Sequence, residues 1–209
     1  MPNWCNNTVS VAHQDPEKLR ALVAAINEGK FCDHVIPVPD DLKITAGFLG
    51  NTEAQKELER KTAENVAKYG HGNWYDFCTS RWGTKWDVDP YETVEFDPLG
   101  VTFGFDSAWS PPMGIYEVLV EQGFSVTAYY YEPGMAYVGK YEDGVDECFD
   151  YGGETSKTVV DCIGEELDEM FGISEAMAEY EAEEMDELEE FLVDGAEVKG
   201  LTPPDPIKF

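Results

Sequence analysis

The sequence predicts an α+β protein: an antiparallel sheet with helices on one face, an inserted helical and aromatic region, and an acidic α-helical extension at the C-terminus. Three observations lead there. Alternating segments rich in Val, Thr, Tyr and Phe are interleaved with helical periodicities over the first 140 residues. Trp74, Tyr75, Phe77, Trp82 and Trp86 crowd into thirteen positions between them. The charge is divided unevenly: residues 1–140 hold 20 acidic and 11 basic side chains, whereas residues 141–209 hold 23 acidic and 3 basic.

The elements follow in order. Asn6 to Ala12 alternates and reads as a strand. Asp15-Pro16-Glu17 supplies an N-cap, a first-turn proline and a first-turn acid, and Leu19, Leu22, Val23 and Ile26 recur at helical spacing to about Asn27, where Gly29 ends the run. Phe31 to Pro39 is short, apolar and proline-containing, which predicts a strand edge or an ordered loop. Thr52 with Gln55 forms a capping-box-like start to a polar helix that Gly70 stops after Tyr69.

Beyond the aromatic region, Thr93–Phe96 and Val101–Phe105 read as two strands joined by a turn at Asp97-Pro98-Leu99-Gly100. After Ser110-Pro111-Pro112, Ile115, Val118 and Leu119 mark a helix to Gly123. Phe124–Tyr131 and Met135–Tyr141 then form a hairpin across Glu132-Pro133-Gly134. This order fits a ferredoxin-like sandwich. The expected organisation is a domain over 1–150, with its insertion at about 31–90, and an extension over 151–209.

Three segments carry a family resemblance. Met1-Pro2-Asn3-Trp4-Cys5-Asn6-Asn7, Asn73-Trp74-Tyr75 with Trp82-Gly83-Thr84-Lys85-Trp86, and Ser107-Ala108-Trp109-Ser110-Pro111-Pro112 resemble the signature segments of the YubB (Api-like) ferredoxin-like proteins of phages and conjugative plasmids. The resemblance covers about residues 1–142. It implies the fold and a mobile-element origin, and it carries no catalytic residue set.

Composition sets limits on function. With 43% hydrophobic and 13% aromatic residues the chain has the content of a packed protein, and at a net charge of −29 a direct grip on nucleic acid or on an anionic membrane is disfavoured. The N-terminal residues lack a basic and apolar leader and no segment is long enough to span a bilayer, so a cytoplasmic location in the host cell is expected. The cysteines Cys5, Cys32, Cys78, Cys148 and Cys162 are odd in number and unpaired in spacing, as reduced thiols are.

Catalytic motifs are weak. His13, His34 and His71 combine with cysteine only at Cys32-Asp33-His34, which lacks the paired spacing of a zinc site, so no metal is expected. Neither a Gly-x-x-x-x-Gly-Lys run nor a Gly-x-Gly-x-x-Gly turn is present, and no cofactor is expected. The tryptophans invite comparison with a base-stacking platform, but only Arg81 and Lys85 accompany them, so structural packing is the expectation. No carboxylate has a His, Ser or Cys partner at recognisable spacing, so no enzyme is expected.

The C-terminal third is the sharper feature. Val159, Val160, Ile163, Leu167, Met170 and Phe171 predict one amphipathic helix. A second helix opens at Ser174, with Met177, Ala178, Ala182, Met185, Leu188, Phe191 and Leu192 on a stripe that docks on the core or forms an oligomer seam. Nine carboxylates lie between Glu175 and Glu190. At ~1.5 Å rise per residue they amount to one charge per roughly 2.7 Å, against about 3.4 Å between phosphates of one DNA strand.

The expected function is therefore that of a non-enzymatic phage or mobile-element inhibitor. It would present a DNA-mimicking carboxylate surface to a host or defence DNA- or RNA-binding protein with a basic groove. Glu165, Glu169, Glu175, Glu179, Glu183, Asp186, Glu187 and Glu190 are the expected partner-binding residues. The alternatives are a structural or homo-oligomeric accessory whose acidic face only gives solubility, and a small-ligand enzyme using the Trp-rich cleft.

Overall fold

The computed structural model describes residues 3–199, with side chains placed through Glu187. The chain divides into two compact units, Met1–Asp150 and Tyr151–Phe209.

The first unit is a ferredoxin-like α+β fold. Its five-stranded antiparallel sheet is built from β1 (Trp4–Ala12), β2 (Val101–Ala108), β3 (Ser125–Glu132), β4 (Tyr137–Glu142) and β5 (Val145–Asp150), in the order β2-β1-β3-β4-β5. Thr8 lies opposite Gly104 on one side and Tyr129 on the other, which fixes the central register. Because side chains alternate across a sheet, Cys5, Asn7, Val9 and Val11 share one buried face with Phe103, Phe105, Ser107, Val126, Ala128 and Tyr130. The other face carries Asn6, Thr8, Ser10, Thr102, Asp106 and Thr127.

Helices α1 (Pro16–Asn27), α2 (Phe31–Val35) and α5 (Met113–Glu121) supply the other half of the core through Leu19, Leu22, Ile26, Phe31, Ile115, Tyr116 and Leu119. The caps form as expected. Asp15 Oδ1 accepts from Glu17 N at 2.9 Å, Thr52 Oγ1 accepts from Gln55 N at 3.3 Å, and Gly70 closes α3 (Glu53–Tyr69) in a left-handed conformation.

Three expectations are corrected. Phe31–Val35 is helical, not extended: the Asp87 carboxylate accepts from Cys32 N (2.8 Å) and Asp33 N (2.9 Å), capping a turn whose Phe31, Cys32 and Val35 face the core. Thr93–Phe96 is not a strand. Asn27 captures Val94 instead, accepting from its N–H at 2.8 Å and donating to its carbonyl at 2.9 Å, so that backbone is satisfied by a side chain. What remains at the outer edge of β2 is one bridge, Pro90 to Phe105, and the bond from Tyr91 N to Gly104 O. The sheet grows at its opposite edge instead, through β5.

The third correction lies in the second unit. The single helix expected from Val159 to Phe171 is two, α6 (Val159–Ile163) and α7 (Glu165–Phe171), broken at Gly164, whose φ of 85° is left-handed. Helix α8 (Ile173–Lys199) follows. Val159, Ile163, Leu167 and Ile173 are buried. Among the described residues no helix is long and apolar enough to cross a membrane.

Candidate functional site

The three signature segments meet at one end of the sheet in the first unit. Asn7, fully buried, donates to Cys5 O and Ser107 Oγ, both at 2.8 Å, and accepts from the Tyr116 hydroxyl at 3.1 Å. Ser107 Oγ in turn donates to Ser110 O at 2.8 Å. Buried Thr84 exchanges two hydrogen bonds with the Ala108 backbone, and Ser110 Oγ donates to Gly83 O. Trp109 N donates to Asn3 O (2.9 Å), and the Tyr137 hydroxyl donates to Trp109 O (2.7 Å). Each buried polar group here has its partner, which is the condition for an ordered polar network.

That network holds aromatic rings outward. Trp4, Tyr75, Trp86 and Trp109 are 49%, 41%, 39% and 51% exposed. Trp109 also has a φ of 74°, a backbone conformation that favours glycine, and its two backbone hydrogen bonds hold it there. The packing expectation holds for Trp82, which is buried and donates its indole N–H to Ile36 O at 2.8 Å. It fails for the four exposed rings. Trp4 and Trp86 lie 6.2 Å apart, and Lys85 Nζ rests 4.2 Å from the Trp86 ring centre and 5.5 Å from that of Tyr75.

Helix α4 (Trp74–Arg81), which sequence periodicity did not reveal, positions Trp74 and Tyr75. Asn73 caps it, its Oδ1 accepting from Tyr75 N (2.9 Å) and Asp76 N (3.2 Å). A cleft of about 590 Å³ opens here, lined by Gly47, Asn73, Trp74, Tyr75, Lys85 and Trp86. A smaller hollow of about 290 Å³ shares Trp74, Lys85 and Trp86 and adds Lys43, Cys78 and Trp82. A Trp-rich cleft is the site that the small-ligand alternative names, and Trp74, Lys85 and Trp86 line both hollows.

The thiols nearby are poor nucleophiles. Burial pushes Cys5 and Cys78 up to about 12, and Cys32 well above its ordinary value. Burial also raises Asp87 above the ordinary carboxylate range, opposed by the backbone N–H groups of Asp33, Cys32 and Val88. Cys32 is buried whereas His34 is exposed. Among the described residues no group of three or more His, Cys, Asp or Glu is placed to hold a metal ion.

In the second unit the expected partner-binding residues Glu165, Glu169, Glu175, Glu179, Glu183, Asp186 and Glu187 are all exposed. At 100° per residue the helix places 175, 179, 183, 186 and 187 within an arc of about 120°. Glu190 lies in α8 outside the residues whose side chains are described, as do Leu188, Phe191 and Leu192. Two other acids serve the fold. Asp168 accepts from Ser174 N (2.7 Å) and Oγ (2.6 Å), and Glu181 accepts from Ser156 N (2.8 Å) and Oγ (2.7 Å). Of the expected apolar stripe, the described members Ala178, Ala182 and Met185 are exposed and Met177 is half-buried.

Ion pairs such as Arg60–Glu57 and Lys68–Asp41 lie within the first unit. No family model matches the chain. No curated protein matches its sequence. Among solved structures it is similar to protein api92 from Yersinia pseudotuberculosis, of family DUF1281, at 10% identity. That likeness spans 74% of this chain and 99% of the other, with a TM-score of 0.38. It is a distant likeness in shape.

Proposed function

We propose that this chain is a non-enzymatic acidic binding protein that occupies the cationic nucleic-acid groove of a partner. One observation carries the reading: among the described residues of α7 and α8, Asp168 and Glu181 are tied to Ser174 and Ser156, whereas Glu165, Glu169, Glu175, Glu179, Glu183, Asp186 and Glu187 are all exposed. Like charges at i and i+4 oppose helix formation by about 0.2–0.5 kcal/mol per pair, so a helix carrying such a row accepts a cost that a neutralising partner removes. The resemblance of the signature segments to YubB and Api-like proteins adds a mobile-element origin, and with it a host or defence DNA- or RNA-binding target in the cytoplasm.

The test is affinity capture from nuclease-treated host lysate with stepped salt, followed by reconstitution with the purified partner. A nucleic-acid-binding protein released by salt and displaced by competing duplex supports the reading. Reversing Glu175, Glu179, Glu183 and Asp186 to Lys should abolish that binding, and unchanged binding sinks the proposal.

The exposure of Ala178, Ala182 and Met185 favours a second reading, an assembly protein whose α8 helices associate with one another. Self-association that persists in high salt, with no heterologous partner, would replace the first reading with the second.

A further inference from the structure

We propose that the cleft beside Trp86 binds a mononucleotide, with the base on the exposed aromatic rings, the ribose hydroxyls at Asp76 and the phosphate at Lys85. The size is right: about 590 Å³ falls within the range of small-molecule sites, and a further hollow of about 290 Å³ shares Trp74, Lys85 and Trp86 with it. The rings are large, exposed and rigidly held. Tyr75 stands on the capped first turn of α4, and Trp86 follows the Thr84 anchor.

The polar groups of the cleft sort themselves by what they have left to give. Asp87 and Asp33 already accept from backbone N–H groups, and Lys43 pairs with Asp40 at 2.9 Å. Asp76 uses Oδ2 for Gly72 N and the Asn73 amide, which leaves Oδ1 without a hydrogen bond. Lys85 makes no ion pair among the described residues and rests on the Trp86 ring. So the unused capacity is one anionic acceptor, one cation and a stacking surface. A carboxylate oxygen suits a sugar hydroxyl, a lysine ammonium suits phosphate, and a base stacks on any aromatic face. The flexible stem of Lys85 lets the ammonium leave the ring face as a phosphate arrives and the base takes its place.

The charge of the chain decides between a nucleotide and a polymer. At net −29 a strand of many phosphates is repelled over its length, whereas one phosphate beside Lys85 meets mainly its local surroundings, since screening acts over about 8 Å at physiological salt.

The experiment titrates full-length protein with AMP, adenosine, ribose 5-phosphate and a short oligoadenylate, following calorimetry and the tryptophan indole N–H resonances. AMP should shift the Trp86 indole and leave that of Trp82, which is bonded to Ile36 O, in place. AMP should bind at least about tenfold more tightly than adenosine, and Lys85→Gln should bring the two to the same affinity. Trp86→Ala should weaken both by about tenfold or more. An unmoved Trp86 resonance, an AMP affinity unchanged in both variants, or tighter binding of the oligoadenylate than of AMP overturns the proposal. The Trp82 resonance reports that each variant is folded.

Discussion

The Thr84 hydroxyl closes a two-way hydrogen bond with the backbone of Ala108, accepting from its N–H at 3.0 Å and donating to its carbonyl at 3.1 Å. A side chain thus acts as the next strand would, at the point where β2 ends and Trp109 turns outward. Thr84→Val preserves shape and deletes both bonds, stranding a buried donor and acceptor. We expect a loss of about 1–3 kcal/mol in urea unfolding, with a shifted Trp109 indole resonance. An unfolding midpoint equal to that of the parent would show that the anchor contributes nothing.

Gly114 packs where no side chain fits. A Cβ built there lies 2.1 Å from Arg81 O, and Gly114 N donates to Trp82 O at 3.1 Å. Gly114→Ala must push α5 away from the C-terminal end of α4, at about 1–3 kcal/mol. Calorimetry should show a lowered melting temperature, and an unchanged one would mean that the two backbones part freely.

The thiols should divide sharply in reactivity. Cys148 is exposed, whereas Cys5, Cys32 and Cys78 are buried, with pKa values raised by burial far above neutrality. A thiol reagent at neutral pH should label Cys148 in the native protein and reach the other three only after unfolding. Rapid native labelling of Cys5 would contradict the closed network around Asn7.

The bond from Ser156 to Glu181 should respond to acid. The Ser156 backbone N–H, and then its hydroxyl, hold the Glu181 carboxyl below its ordinary range. A lowered folded pKa stabilises the tie above the ordinary glutamate range and is lost as pH falls through the folded value. The Ser156 amide resonance should therefore move on acidification at a pH below the ordinary glutamate pKa. A midpoint at or above it would mean that the bond does not persist in solution.

The sequence revealed elements whose signals are local. The Asp15 and Thr52 caps, the glycine stops and the alternation of β1 needed no knowledge of distant residues. What was illegible depends on contacts far apart in the chain. Helix α2 exists because Asp87 arrives from more than fifty residues away, and Thr93–Phe96 is lost to the sheet because Asn27 reaches it across sixty-seven positions. The aromatic site was half legible: the segments holding Trp4, Trp86 and Trp109 stood out, but that their rings point outward follows from Thr84, Ser107 and Asn7 meeting beneath them. The acid row was legible in full as a pattern, because helical spacing alone sets which carboxylates share an arc.

The vacated edge of β2 has a consequence for how molecules of this protein meet one another in concentrated solution. An unpaired strand edge invites a neighbouring chain to add its own strand, and proline and charge are the usual deterrents. Here Pro90 sits at the isolated bridge to Phe105, with exposed Glu92, Glu95 and Asp97 alongside, and the far edge, β5, displays Asp146, Glu147 and Asp150. Carboxylates thus stand along each margin of the sheet. Salt screens repulsion between such charges beyond about 8 Å at physiological ionic strength, so edge-to-edge contact is the form of self-association expected as salt rises.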